Sequence, residues 1–357
     1  MNSTTVLVTG ATGFLGGRLA EELTRQGFQV RALVRNRSNI TKLQSLGAGI
    51  FYGDVRDVHS LKYAMTGADV VIHAAADTTG NARQGKRITV MGTRNAVDAA
   101  AQSDIRQFIY LSSCAVYGIA DCKPWERVDE NGPLERLPEA RGNYSNYKFQ
   151  AEQIVLEAIN AGSMHVTCLR PGTIWGPGGE TFSSMMGFRA GRKLAFMIGN
   201  QNAVLPLVHL DNLVEAIIKC IDCPNAYNQV FNVVDPGYVT KKVYAREVLK
   251  PLFPGTVFLN LPYAALSAGV WCQEKLFRMM KKKPFLTHYR LVSSQRPVVY
   301  DAGKLERDTG WRPRVSFREG AEEIIAFENM RHSRTAGKTK RKNRIGGKYE
   351  SNHSCRR

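Results

Sequence analysis

What is scarce in this sequence narrows it first. Acidic residues are outnumbered, 31 Asp and Glu against 49 Lys and Arg, for a formal net charge of +18. Cysteine follows no framework. Cys114, Cys122, Cys168, Cys220, Cys223, Cys272 and Cys355 lie scattered, several in apolar runs. That argues against a disulfide-stapled scaffold and for a reducing, cytoplasmic setting. Cys220 and Cys223 form a single CxxC; no second pair completes a zinc site, and no metal is expected. No leader-like apolar segment opens the chain, because MNSTTVLVTG runs straight into a strand pattern. One stretch lacks charge altogether, Pro251 to Gln273. Pro251, Pro254, Asn260, Pro262 and Gly269 interrupt it, so a buried helix is expected there rather than a membrane span. An interfacial amphipathic helix is the alternative.

The 357 residues, 43% of them hydrophobic, suffice for one large domain or two intimate ones. The positive charge is uneven. From Arg331 to the end ten Lys and Arg stand against one acid, Glu350, with almost no apolar residue. Residues 331–357 are expected to be a disordered basic tail. A solubilising role is the plainest reading. Attraction to an anionic membrane, giving a peripheral location, is the alternative, and no specific nucleic-acid partner is expected.

Short β-rich runs alternate with helical ones through the first half: VLVTG (6–10), FQVRALV (28–34), GIFYGD (49–54), DVVIHAAA (69–76), QFIYLSS (107–113) and HVTCLRP (165–171). Such alternation gives a parallel sheet with helices on both faces. After Pro171 the rhythm breaks. FRAGRK (188–193) reads as a basic helical piece. LVHLDNLVEAIIKCI (207–221) reads as a helix with Asp211 as N-cap, and QVFNVVD (229–235) as a further strand. The organisation expected is a dinucleotide-binding domain over 1–172 and a mainly substrate-binding region over 173–330, with 207–235 returning to the first domain.

Gly10-Ala-Thr12-Gly13-Phe14-Leu15-Gly16 follows a strand and opens a helix. In that context three spaced glycines cradle a dinucleotide: a tight turn, a backbone open to pyrophosphate and a close helix–strand approach. The fold class is therefore a doubly wound α/β sheet of the Rossmann type with a smaller C-terminal substrate-binding region. The second strand ends Leu33-Val34-Arg35-Asn36-Arg37. The acid that would take a ribose 2′-hydroxyl is absent, and Arg35 and Arg37 can hold a 2′-phosphate, favouring NADP(H) over NAD(H).

Tyr144 and Lys148 are four residues apart on the long helix YSNYKFQAEQIVLEAINAG, after a strand that ends in Ser112 and Ser113. They share a helical face. An ammonium beside a phenol lowers its pKa from about 10, which suits proton exchange with a substrate oxygen.

Taken together, these motifs resemble the extended short-chain dehydrogenase/reductase superfamily over nearly all of residues 4–329. The matching stretches are the glycine loop, Gly53-Asp54, His73 to Ala76, SSxxVYG, YxxxK, RPGTIWGPG (170–178), LVHLDNLVEAI and TGWRPRVSFREGAEE (309–323). The resemblance implies that Ser113 is the catalytic serine, Tyr144 the acid/base, and Lys148 the residue that holds the nicotinamide ribose and tunes Tyr144. It also implies that Asp54 and Val55 lie by the adenine, that Ala74, Ala75 and Ala76 line the cofactor, and that Pro171, Gly172 and Thr173 edge the nicotinamide. A homodimer through the fourth and fifth helices is a further implication. The chain departs from the family at Thr89-Val90-Met91-Gly92-Thr93, where an Asn usually precedes Val-x-Gly-Thr.

Within the superfamily, the Asp-Glu pair of the sugar dehydratases is replaced by Cys114 and Ala115. The epimerases' arginine ahead of Val-His-Val-Asp is missing from Asn202 to His209, though Arg189, Arg192 and Lys193 could still bind phosphate. The run 284–313 resembles the 3β-hydroxysteroid dehydrogenase and dihydroflavonol reductase branch. Net hydride transfer to or from a hydrophobic secondary alcohol or ketone is the expected reaction, with a nucleotide-sugar epimerase holding NAD as the alternative. His73 and His209 are read as structural, and Trp175 either touches substrate or fills a loop.

Overall fold

The computed structural model describes residues 4–346 apart from 184, 185, 192, 283 and 285, with backbone only for 332 and 334–346. Seven of the β-rich runs form one sheet: β1 Thr5–Thr9, β2 Gln29–Val34, β3 Gly49–Tyr52, β4 Val70–His73, β5 Gln107–Leu111, β6 His165–Pro171 and β7 Gln229–Val233. Every pairing is parallel, in the order β7-β6-β5-β4-β1-β2-β3. The order reverses between β1 and β4, and in such sheets the crevice beyond the strand ends at that point receives ligands. β1 and β5 are buried end to end, because helices cover both faces and leave no polar side.

Those helices include α1 Phe14–Arg25, α2 Thr41–Ser45, α3 Val58–Met65, α4 Gly92–Ala101, α5 Asn143–Ala161 and α6 Leu210–Cys220. On one face, Leu19 and Leu23 of α1 and Leu213 and Ile217 of α6 pack on Val6, Val8 and Phe231. On the other, Leu61, Ala96, Ala100, Ala151 and Val155 of α3, α4 and α5 pack on Leu7, Val71 and Phe108. A third core, around Trp175, Met197, Tyr244, Val248 and Ile324, holds the region after β6. Trp175 is thus a core residue, with Phe317 and Tyr244 against its ring.

Four sequence expectations are corrected. Phe188 and Arg189 lie in a strand, Gly187–Ala190, antiparallel to Leu194–Ile198; Gly191 at φ +75° turns the hairpin. Leu207–His209 is a short strand parallel to Thr173–Trp175, and α6 starts only after it. His209 rather than Asp211 caps α6, its Nδ1 accepting the Asp211 N–H at 3.3 Å. Asp211 is held instead by Arg18 of α1 at 2.7 Å. Pro251–Gln273 is not a buried helix. It contains a strand, Val257–Leu261, and most of α7, Tyr263–Met279, in which Val270 alone is buried. α10, Phe317–Gly346, is anchored by Ala321 and Ile324 and runs on into the basic stretch that begins at 331. Residues 347–357 lie outside the described residues. Among the described residues no helix is long and apolar enough to cross a membrane.

α8 His288–Gln295 and α9 Gly303–Thr309 precede α10. Asn212 pins this last portion to α6. Its Oδ1 accepts the N–H groups of Arg314 and Val315 at 2.9 Å, its Nδ2 donates to the Val315 carbonyl, and its own carbonyl takes the Trp311 indole N–H at 3.0 Å. Asn212→Ala strips partners from several part-buried groups and is expected to cost about 2–4 kcal/mol. Urea unfolding checks this, and a loss within error of zero would show that water replaces the amide.

Candidate active site

The glycine loop connects β1 to α1 at the switch point. Gly10 has φ +74°, and a Cβ there would sit 2.9 Å from the Ala75 nitrogen at the end of β4. At Gly16 a Cβ would meet the Gly10 carbonyl oxygen at 2.2 Å, so α1 and the loop touch backbone to backbone. Gly13 stands at the N-cap of α1 with no side-chain cap, and no acid occupies the first turn. The N–H groups of Phe14, Leu15 and Gly16 therefore face the crevice with the helix's positive end behind them, a fit for a pyrophosphate. Thr12, Gly13 and Phe14, with Pro177 and Leu210, line a cavity of about 270 Å³.

The other cofactor candidates sit along the same strand ends. Arg35 and Arg37 are exposed just past β2. Asp54 follows β3; the Arg56 guanidinium, at 2.7 and 2.8 Å, holds its carboxyl below the usual range. Val55 is buried against α4, where a Cβ on Gly92 would strike it. Ala74 and Ala75 donate their N–H groups to Thr9, each at 3.3 Å, and Ala76 follows them. Beyond β6, Gly172 and Thr173 are tied down by the carbonyls of Val233 and Pro206, and a Cβ on Gly172 would be 2.2 Å from the latter.

Ser113, Tyr144 and Lys148 converge where β5 meets α5. Ser113 ends the strand segment and caps the short turn Cys114–Val116, accepting the Ala115 N–H at 3.1 Å. The Tyr144 phenol lies close enough to the Ser113 hydroxyl to feel it. Burial raises the Tyr144 pKa above its ordinary 10, and the neighbouring Ser113 hydroxyl only partly opposes this. The depression expected from Lys148 is absent. The Lys148 ammonium donates instead to the Leu111 carbonyl at 2.6 Å. Burial drives its own pKa from 10.5 down to about 8, with Cys168 and Glu152 pulling it back up.

Below these residues lies a network that sequence reasoning missed. Glu152, one turn beyond Lys148, is fully buried and receives Arg170 of β6 at 2.7 and 3.2 Å, together with the Ser112 hydroxyl. Arg170 also donates to the Tyr117 hydroxyl at 2.8 Å, and that hydroxyl donates to Asn232 of β7 at 2.6 Å. The signals were present: Lys148 and Glu152 share a helix face, and Arg170 interrupts an otherwise apolar strand. His73, fully buried, lies between Thr9 and Thr93, its ring nitrogens 2.9 and 3.2 Å from their hydroxyls. Burial lowers its pKa to about 3, so it is neutral and structural. Thr89 sits in a π-turn, Lys86–Met91, just ahead of α4, and its hydroxyl accepts the Asp77 N–H at 3.0 Å.

Residues 6–233 match the model of the NAD dependent epimerase/dehydratase family. The chain belongs to this family. It is 30% identical to a 4-hydroxy-2-methyl-3-oxo-4-farnesyl-3,4-dihydroquinoline-1-oxide ketoreductase of Stigmatella aurantiaca, over 89% of this chain and 94% of that one. It is 28% identical to a UDP-glucose 4-epimerase of Vibrio cholerae, over 88% and 92%. The crystal structure of gox2253 superposes with a TM-score of 0.78 at 25% identity, covering 92% of this chain and 99% of that one. This chain's relatives include dehydrogenases, reductases and epimerases, and the chain is an enzyme of this NAD-dependent family.

The Glu152–Arg170 pair offers a direct check on the site's foundation. Glu152→Gln leaves a buried guanidinium uncompensated and is expected to cost about 3–5 kcal/mol. Replacing both with Met should restore much of that loss in the same unfolding measurement. Equal damage from the single and double variants would show that the network, not charge pairing, sets the cost.

Proposed function

We propose that this chain is an NADP(H)-dependent reductase or dehydrogenase acting on a ketone or secondary alcohol of a hydrophobic substrate, with Tyr144 as acid/base. The observation that carries this is the meeting of Ser113 and Tyr144 over Lys148, at the switch-point end of the sheet that also presents the glycine loop. The nicotinamide, when bound, supplies or takes the hydride. The chain's own part is placement and proton transfer. Ser113 and Tyr144 hydrogen-bond the substrate oxygen. Tyr144, kept a neutral phenol by burial, is poised to donate its proton to an oxygen that gains negative charge. Lys148 is held on the Leu111 carbonyl within reach of this end of the crevice, where it would hold the nicotinamide ribose. Asp54 would lie by the adenine, and Ala74 to Ala76 and Pro171 to Thr173 along the cofactor.

Two observations favour net oxidation or reduction. The ketoreductase of Stigmatella aurantiaca acts, by its name, on a farnesylated ring ketone. The segment before the Leu207–His209 strand carries no arginine to grip a sugar diphosphate, and Arg189 lies over the Phe253 ring, 4.2 Å from its centroid. An epimerase holding NAD is the second reading, favoured by the likeness to the Vibrio cholerae enzyme.

The deciding experiment is to denature the purified protein and measure the nucleotide released. A site that arrives empty and exchanges NADPH freely supports the reductase, whereas near-stoichiometric NAD would establish the epimerase reading. Tyr144→Phe is expected to lower turnover by about a thousandfold or more while nucleotide affinity is retained; a folded variant that no longer binds nucleotide would refute the acid/base role. Arg35→Ala with Arg37→Ala should weaken NADPH at least about tenfold more than NADH, because only the former carries the 2′-phosphate that the guanidinium groups would grip. Equal loss for both nucleotides, read by titration calorimetry, would remove the case for NADP(H).

A further inference from the structure

The helix α7 lies on the protein with the wrong side out. Leu266, Val270 and Phe277 form a narrow inner stripe, of which Val270 alone is fully buried. The one acid of the helix, Glu274, turns inward to accept the His288 N–H at 2.9 Å. The outer face carries Ala264, Ala265, Ala268, Trp271, Leu276 and Met279. Trp271 and Leu276 are each 54% exposed and Met279 is 81% exposed. Isolated exposed apolar side chains need no explanation, but a continuous apolar face marks an interaction site.

The cations are placed to match. Lys275 lies within the apolar face, its ammonium 3.9 Å from the Trp271 ring centroid, so its stem runs over apolar surface while its charge stays at the rim. Arg278, Lys281 and Lys282 crowd the C-terminal end. A Trp-bearing apolar face with a basic rim, on a helix too polar to span, is the composition of a helix lying in a lipid interface.

We propose that the outer face of α7 docks on an anionic lipid bilayer, its apolar residues entering the headgroup boundary and its lysines pairing with lipid phosphates. Charge selects this occupant over a second copy of the chain. The face offers no acid, and the chain as a whole carries +18, so two such faces would meet with like charges. An anionic surface supplies the missing sign. The site is independent of the basic stretch beyond residue 331 and of the identity of the substrate.

The position of the helix gives the docking a consequence. Gln273 donates to the Leu286 carbonyl at 2.7 Å, tying α7 to the segment that enters α8. From α8, Tyr289 donates to Glu135 at 2.5 Å, and the Arg290 guanidinium packs against Gly142, the residue that opens α5 two positions before Tyr144. A bilayer under α7 thus lies two helices from the candidate site.

The test is co-sedimentation of the full-length protein with vesicles of phosphatidylcholine alone or with about 30% phosphatidylglycerol, the anionic lipid providing the attraction. Binding to the anionic vesicles, reduced by salt, is expected, with a blue shift of tryptophan emission that Trp271→Phe removes. L276E with M279E in one chain should weaken binding at least about tenfold, since both apolar anchors are lost. K281E with K282E should also weaken it, whereas K340Q, R341Q and K342Q together should leave it within about twofold. Unchanged thermal midpoints and nucleotide affinity in the variants exclude misfolding. The proposal fails if no vesicle is bound, if the tail variant alone abolishes binding, or if L276E with M279E dissolves a dimer without changing sedimentation.

Discussion

The site depends on one buried ion pair. Glu152 and Arg170 join α5 to β6 in the protein interior, and each spends its remaining valence on a neighbour: the carboxylate on Ser112, the guanidinium on Tyr117. In a medium that does not screen charge, such a pair holds only if both partners stay in place. α5 is thereby fixed in rotation and height against β5 and β6. Lys148, one turn earlier, is delivered to the Leu111 carbonyl, and Tyr144, two turns earlier, to Ser113. A separate chain of contacts, Thr9 to His73 to Thr93, ties β1 to β4 and α4 beneath the glycine loop. The two halves of the crevice are therefore set by two polar networks that never meet solvent.

Electrostatics at the candidate site differ from the simple picture of a lysine activating a tyrosine. Both groups pay for burial, in opposite directions: the phenol is pushed up and the ammonium is pulled down to about 8. Near neutral pH the pair then consists of a neutral phenol and a lysine that is charged but close to losing its proton. The carbonyl of Leu111 and the charge of Glu152 favour the protonated lysine, which is why a carboxylate so far from the crevice bears on the site at all.

The fold was legible because its pattern is periodic. Each of the seven strands of the main sheet is a short apolar run bounded by a turn; the structure shifts the first by one residue, keeps 165–171 whole and trims the others. The glycine spacing was equally readable, since contact distances leave no room for a side chain at Gly10 or Gly16. Local pattern failed where tertiary pairing decides. FRAGRK became part of a hairpin because Leu194–Ile198 offers it a partner, and LVH became a strand because Thr173–Trp175 lies alongside. The uncharged stretch 251–273 was read as interior because charge is absent. Apolar composition says that a surface avoids water, not that this chain supplies the cover. The Glu152–Arg170 pair was hidden for the opposite reason, as charged residues are ordinarily assigned to the surface.

One small pairing sets the order in which the molecule can be completed. Val299 and Tyr300 lie parallel to Arg127 and Val128, and the carbonyl of Asp301 meets the amide of Asn232 on β7. The segment that leads into α5, the helix of the candidate site, is thus closed by residues near the far end of the chain. On the ribosome, the strands and helices of the nucleotide half emerge and can pack early, whereas the walls around Tyr144 must wait for the last sixth of the polypeptide. A chain cut short before residue 299 would keep the glycine loop and β1 to β7 and lack that closing strand.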